Sequence, residues 1–269
     1  VLDIWPDLTA GSDFAPILQA IDTGSNWRRI SINSIPFKVA LDTIIQQVYS
    51  QTFGPVSTDF TVLYLRFRGT PRPSTFNAVA AALNSTMERY RMDSSFNGCR
   101  GQDRIFKVPI TELYKKVLIV SNVRASESAL RDYINVGPLD GIHTEWLPSD
   151  LIQLTDAMRR EQSVKIQQNL SFVMKSLDTE DWDKNDWNWR KCLDVGVQFP
   201  AMNFFNKNDE LAAYMSPDMF GVFSYKIKPA SLRYRIELLP RPGVPSDPRW
   251  GTGDTAGTPV IPDPIRGVQ

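Results

Sequence analysis

The stretch DVGVQFPAMNFFNKNDELAAYMSPDMFGVFSYKIKPASLR, Asp194 to Arg233, decides the fold class. Val195, Val197 and Phe199 alternate with smaller or polar neighbours, the pattern of a half-buried strand. Asn203 to Asp209 breaks that pattern, and Glu210 to Met215 reads as a short helix. A second apolar run, Val222 to Ile227, halts at Lys228-Pro229. Two short strands joined through a helical segment form the unit of a parallel sheet, because parallel neighbours need a crossover connection.

The same alternation extends over the rest of the chain. VLDIW at Val1 to Trp5 reads as a strand, and Ser34-Ile35-Pro36 supplies a cap and an early proline for a helix carrying Phe37, Leu41, Ile44 and Val48 on one face. FTVLYLRF, Phe60 to Phe67, is rich in β-favouring residues. Thr75 to Arg91 follows as a helix with Phe76, Val79, Leu83 and Met87 at helical spacing. Lys116 to Ser121 is the next strand and Glu127 to Ile134 the next helix. Leu147 to Gln168 is polar and helical, with Leu151, Leu154 and Met158 on one face, and Leu170 to Met174 is a shorter strand. An aromatic and acidic insert, DTEDWDKNDWNWR, then leads into the opening stretch. Strands alternating with helices predict an α/β fold, and a closed parallel barrel fits better than a sandwich. Such barrels run near ~250 residues as one unit. The predicted barrel spans residues 1–237, and the Pro- and Gly-rich residues 238–269 form a tail, read either as a disordered end or as an extended arm across a neighbouring subunit.

Thirty basic residues balance thirty acidic ones, so no global field draws the chain to nucleic acid or to an anionic membrane. Cys99 and Cys192 lie far apart without a CxxC spacing or a histidine partner, which speaks against a zinc site and for buried thiols. No apolar run approaches the ~18 residues of a membrane span, and no signal-type segment opens the chain, so the reading is of a non-secreted protein without a transmembrane segment. Val1 is no initiator residue and VLDIW begins in mid-strand, which implies processing or a missing upstream portion.

Four segments resemble one family. VLDIW is similar to a Glu-Leu-Asp-Cys-Trp strand, FTVLYLRF to a Pro-(Val/Leu)-Ile-Leu-Ser-Leu-Glu strand, and ITELYKKVLIVSN to a Leu-x-Gly-Lys-Ile-Leu-Ile-Lys segment. GVQFPAMNF with FSYKIKPASLR resembles Gly-Cys-Gln-Met-Val-Ala-Met-Asn-Phe followed by Gly-Tyr-x-Leu-Lys-Pro-x-x-Leu-Arg. Together they resemble the X-type catalytic barrel of phosphoinositide-specific phospholipase C, in particular the short form carried by large DNA viruses. The resemblance implies a distorted (β/α)8 barrel of TIM type, with chemistry at the carboxyl ends of its strands and a first strand, bearing a His-Asn pair, upstream of Val1. In that family two histidines act as general base and acid to cleave a phosphodiester, and a calcium ion held by carboxylates and an Asn stabilises the developing charge.

Carried across residue by residue, the resemblance puts Val1 where the family has a calcium-ligand Glu and keeps the next carboxylate as Asp3. No histidine stands near Ala20 to Asp22, Arg66 replaces a strand-end carboxylate, Val120 and Asn122 stand for two lysines, and Phe172 and Met174 stand for a substrate-contacting Arg and Tyr. Val1, Asp3, Tyr64, Arg66, Val120, Asn122, Phe172 and Met174 are all expected to point into the barrel. Arg66 is expected to pair with Asp3, its guanidinium replacing the calcium charge. His143, the one histidine, reads as a solvated loop residue, and Asp181 with Asp183 as a solvated face. Trp182, Trp187 and Trp189 read either as anchors for a partner or as aromatics closing the barrel.

These substitutions lead to the expectation of a barrel without catalysis, not an enzyme and with no cofactor, its calcium site lost. Its partners would be other proteins, those of a virion or capsid, and its location the virion or the infected-cell cytoplasm. The alternative is an active phosphoinositide phosphodiesterase whose His-Asn strand lies outside this sequence. A third reading is a lipid or inositol-phosphate binder without catalysis.

Overall fold

In a computed structural model the described residues are 1–6, 16–18, 34–49, 60–97, 105, 108–138, 145–149, 153, 155–168, 170–175, 184–204, 206–221 and 226–233. The chain divides into two compact units, the first comprising residues 1–145 and 175–182, the second residues 146–174 and 183–269.

The first unit is built on a five-stranded sheet. Its strands are β1 (Leu2–Pro6), β2 (Pro16–Leu18), β3 (Ile35–Pro36), β4 (Thr61–Phe67) and β5 (Val117–Ser121), in the order β3-β2-β1-β4-β5. β1, β4 and β5 run parallel, with Asp3 beside Arg66 and Tyr64 beside Val120. β2 and β3 are antiparallel additions at the β1 side. The sheet is therefore mixed, where the sequence suggests a parallel one.

Alternation along the strands sorts their side chains onto two faces. Leu2, Ile4, Leu63, Leu65, Phe67, Val117 and Ile119 pack into one core with helix α1 (Phe37–Tyr49) and helix α2 (Pro73–Met87). α1 contributes Phe37 and Leu41, and α2 contributes Val79, Leu83 and Met87, the stripes their spacing predicts. Pro73 sits at the start of α2, where its missing N–H costs no helix bond. The helix stops at Met87 instead of Arg91, and a 3-10 turn, Glu88–Tyr90, leads Arg91 into a bridge beside Val117.

The helix expected over Glu127 to Ile134 is only a 3-10 turn, Ala129–Asp132. Its backbone is drawn to side chains instead: the Ser128 hydroxyl donates to Ala125 O, and Ala129 N–H donates to Asn77 Oδ1. Short polar side chains compete in this way with helix bonds. Leu130 and Ile134 are still fully buried.

The second unit has little regular strand. β6 (Glu145–Trp146), β7 (Phe172–Val173) and β8 (Phe199–Pro200) form a three-stranded sheet in that order. Helices α3 (Asp156–Gln168), α4 (Lys191–Val195) and α5 (Asp209–Tyr214) accompany it. Its core gathers Ile166, Val173, Trp187, Trp189, Cys192, Val195 and Val197. On α3 the buried residue is Ile166, whereas Met158 is exposed; Leu151 and Leu154 lie outside the described residues.

Here the opening stretch needs correction. Val195 belongs to a helix, not a strand, and the chain reverses at Gly196, whose φ of 79° is left-handed. Gly196 and Val197 both donate their N–H to Cys192 O, closing the helix end as a glycine cap does. Only Phe199–Pro200 is strand. The helix expected over Glu210 to Met215 is present as α5, with Asn208 Oδ1 accepting from Leu211 N–H as its N-cap. Of the predicted final strand, Val222 to Tyr225 lie outside the described residues, and Lys226 and Ile227 are irregular.

Among the described residues the strands form these two sheets and no closed barrel. The fold is mixed α/β. Residues 238–269 lie outside the described residues.

Candidate functional site at the strand ends

In open and closed parallel sheets alike, chemistry sits at the carboxyl ends of the strands. In the first unit that end is marked by Asp3, Arg66, Arg68 and Asn122. Asp3 and Arg66 are neighbours in the parallel register, so alternation places both on the face away from α1 and α2, together with Tyr64 and Val120. Arg66 donates from Nε to Asp3 Oδ1 at 2.6 Å and from Nη2 to Oδ2 at 2.8 Å. This is the two-pronged match of a planar guanidinium to a carboxylate. Arg68, two residues on and so on the same face, adds a bond from Nε to Asp3 Oδ1 at 3.0 Å.

The cluster is set into the protein unevenly. The Arg66 side chain is 5% exposed, while those of Asp3 and Arg68 are each 22% exposed. Burial, the largest single influence, pushes the Asp3 carboxyl up. The hydrogen bonds and charges of Arg66, and then of Arg68, outweigh it together and hold the group below the usual carboxylate range. One carboxylate between two guanidiniums leaves a formal charge of about +1. Arg68 is the member that the sequence reading missed; it stands one residue past the end of β4, where its N–H still donates to Ile4 O at 3.0 Å and carries the alternation on.

Asn122 serves the backbone. Its Oδ1 accepts from Phe67 N–H at 2.7 Å and its Nδ2 donates to Phe67 O at 3.0 Å. The amide thereby continues the β4–β5 ladder past Ser121, the last residue of β5. Asn135 does the same work beside β5, accepting from Ile119 N–H at 2.8 Å. Val120 is fully buried, and Val1 is exposed.

The other expected site residues belong to the second unit. Phe172 is buried with its ring stacked on Phe199 at 4.5 Å, and Met174 is buried. Trp187 and Trp189 are core residues, 7% and 0% exposed, not surface anchors. Trp189 donates from Nε1 to Glu210 Oε2 at 3.0 Å, and Arg190, which salt-bridges the same oxygen, lies over its ring at 4.5 Å. Trp182, His143, Asp181 and Asp183 lie outside the described residues. Cys192 is fully buried, and burial pushes its thiol up to about 12, out of the nucleophilic range.

Calcium takes about six to eight oxygen ligands, carboxylates foremost. The single described carboxylate at these strand ends is engaged by two guanidiniums. Among the described residues no three Asp, Glu, His or Cys side chains lie close enough to hold a metal ion. This donor set does not fit a calcium ion.

Among solved structures the chain is similar to PLC21 of L. pealei, at 15% identity and a TM-score of 0.58, and to PLC21 of S. officinalis, at 14% and 0.58. Each match covers 87% of this chain and 32% of the other, so the chain spans about a third of the length of the proteins it resembles. No protein-family model matches the chain, and no curated protein matches it. At this identity the likeness shows the fold: the chain has a fold like that of phosphoinositide-specific phospholipase C. These matches bear on the fold alone and not on a viral short form of it.

The expectation of a non-enzyme is corrected by the same finding. The proteins that share the fold are phospholipase C enzymes, and replacements at a few strand ends are no direct evidence that catalysis is lost. Among the described residues no helix is long and apolar enough to cross a membrane.

Proposed function

We propose that the chain serves as a protein-binding, structural component built on a phospholipase C-like fold, with other proteins of an assembly as its partners. The observation that carries this reading is the Asp3 carboxylate held between Arg66 and Arg68. Such a cluster fixes two neighbouring strand ends to one another with no ion between them, which suits a scaffold. On this reading no calcium is bound at these residues. The assembly proposed is a large DNA virus particle, with the chain among its capsid-associated proteins and located in the virion or the infected-cell cytoplasm. Resemblance in VLDIW and in the stretch from Gly196 to Arg233 supports that part.

A second reading is favoured by a different observation. Two solved structures of similar fold are those of phospholipase C enzymes, which supports a phosphoinositide phosphodiesterase whose remaining residues lie beyond this sequence.

One experiment separates the two. The purified chain is titrated with calcium by calorimetry, then mixed with phosphatidylinositol vesicles while water-soluble inositol phosphate is measured. The first reading expects no calcium heat above the buffer blank and co-purification with particle proteins. Calcium binding together with calcium-dependent release of inositol phosphate carries the second, and failure to co-purify with particle proteins removes the first.

A further inference from the structure

The rings of the second unit continue from its core to its surface. Buried Trp189 meets Tyr214, at the end of α5, edge-on at 5.3 Å. Tyr214 carries two further rings outward, Phe220 tilted against it at 4.6 Å and Phe204 edge-on at 6.3 Å. The backbone holds this arrangement. After α5 the chain doubles back, with Phe220 N–H donating to Tyr214 O at 3.2 Å and Gly221 N–H to Ser216 O at 3.0 Å. A side chain at Gly221 would collide with Met215 O, so only glycine lets the turn close and bring Phe220 beside Tyr214. Tyr214 and Phe220 are half-buried, while Phe204 is 56% exposed. Exposed rings gathered on a built turn mark an interaction surface. Beside them stands the exposed ion pair of Arg190 and Glu210, which borders Trp189.

The chain itself carries a segment that suits this surface. LLPRPGVPSDPRW, Leu238 to Trp250, places Pro242, Pro245 and Pro248 three apart. A polyproline helix has three residues per turn, so this spacing predicts one row of proline rings along one side. Such rows dock on aromatic-lined surfaces at small entropic cost, because the segment is stiff before it binds. Asp247 and Arg249, flanking the last proline, match the two charges of Glu210 and Arg190. The length fits as well. Lys226 touches the turn after α5, its Nζ lying 3.4 Å from Met219 Sδ, and the described residues end at Arg233. Lys226 and Arg233 are at most about 25 Å apart along the chain, and from Arg233 to Pro242 the chain can span about 30 Å, enough to return. A segment tethered this closely reaches its own face at ~mM effective concentration.

We propose that the face formed by Phe204, Tyr214 and Phe220 is a docking surface for a proline-row polypeptide, occupied by residues 242–248 of the same chain. The surface is separate from the Asp3 cluster and does not depend on the function proposed above.

The test is trypsin cleavage of the full chain in native buffer, with the Arg249–Trp250 bond followed by peptide mass spectrometry. Docking shields this bond, and Phe204→Ala, which removes an exposed ring, is expected to speed its cleavage about tenfold. Pro245→Asp alters the segment instead of the face and should do the same. So should an excess of the free peptide of residues 238–248 added to the natural chain. Cleavage after Arg266 is the internal reference and should not change. An Arg249–Trp250 bond cut at one rate in the natural chain and both variants overturns the proposal. Protection that disappears on dilution also overturns it, by assigning the segment to a second copy. So does a Phe204→Ala chain altered only in its sedimentation with phosphatidylcholine vesicles, which would turn the rings toward a bilayer.

Discussion

The two units reach burial by different routes. The first relies on ladders: β4 and β5 pair over five consecutive positions, and one whole face of the sheet is covered by two amphipathic helices. The second has strands of two residues and fills its interior with aromatic rings and side-chain amides. There Asn185, almost fully buried, donates from Nδ2 to the carbonyls of Asn203 and Asn206 and accepts from Asn203 N–H at 2.7 Å. Where strand ladders are short, backbone groups still need partners, and a side-chain amide supplies donor and acceptor together. A fold can thus be kept at low identity by quite different means in its two parts.

The sharpest way to break this contrast is to remove the largest ring of the second core. Trp189, 0% exposed, packs edge-on against Tyr214 at 5.3 Å and bonds Glu210. Trp189→Ala is expected to cost about 4 kcal/mol in a urea titration, with Leu65→Ala in the first core costing about 3. Followed by amide exchange, Trp189→Ala should strip protection from residues 185–203 while Thr61–Phe67 keeps it. Equal loss in both would show that the two units are one cooperative body and end the comparison.

The next effect belongs to the first unit. Arg66→Met leaves Asp3 with the single described bond from Arg68, and removing one partner from a buried pair exposes the other to its full desolvation cost. Because Asp3 is partly exposed, the expected loss is about 2 kcal/mol rather than more. Asp3→Asn with Arg66→Met should regain most of it. Asp3 has a depressed folded-state value, so its contribution is present above the ordinary carboxylate value and is lost as pH falls through the depressed one. The double variant should therefore lose less stability in acid than the natural chain. If it does not, the clamp is not what ties β1 to β4.

What could be read in advance follows the same division. FTVLYLRF and KVLIVS declare themselves by β-branched and aromatic runs, and the stripes of α1 and α2 by spacing, because in ladder-built structure the pattern in sequence is the pattern in space. The juxtaposition of Asp3 and Arg66 was legible only through the family resemblance, which put both at one strand-end site, and the parallel register places them side by side. VGVQF misled for the opposite reason. Val195, Val197 and Phe199 alternate, yet a left-handed glycine between the two valines ends a helix there. A single positive φ outweighs three apolar positions, and a period of two over five residues cannot exclude it. The backbone-bonding roles of Asn122, Asn135 and Asn185 could not be read in advance, since an asparagine bonding distant backbone carries no local signature. Trp187 and Trp189 were ambiguous in sequence because a ring that anchors a partner and one that fills a core are the same residue.

The smallest effect tests charge in the second unit, through three groups that titrate at high pH. Lys228 is held at about 8 against an ordinary 10.5, so between those values the unfolded chain binds the extra proton and stability rises with pH. Cys192 and Tyr214 are both pushed by burial to about 12, from 9.0 and 10.0, so the unfolded chain loses their protons first and stability falls above those ordinary values. These three groups should accordingly raise stability from about pH 8 toward pH 9, leave it level to about pH 10, and lower it beyond. Lys228→Met removes the ammonium while keeping a flexible apolar stem beside the Gly196 turn, and should stabilise the chain at pH 7 by about 1 kcal/mol, discounted for partial exposure. Melting temperatures measured every half unit of pH check both parts. If the variant keeps the rise between about pH 8 and pH 9, the rise does not belong to Lys228. If it is less stable than the natural chain at pH 7, the ammonium has a favourable role at the Gly196 turn, and the second unit uses charge as the first one does.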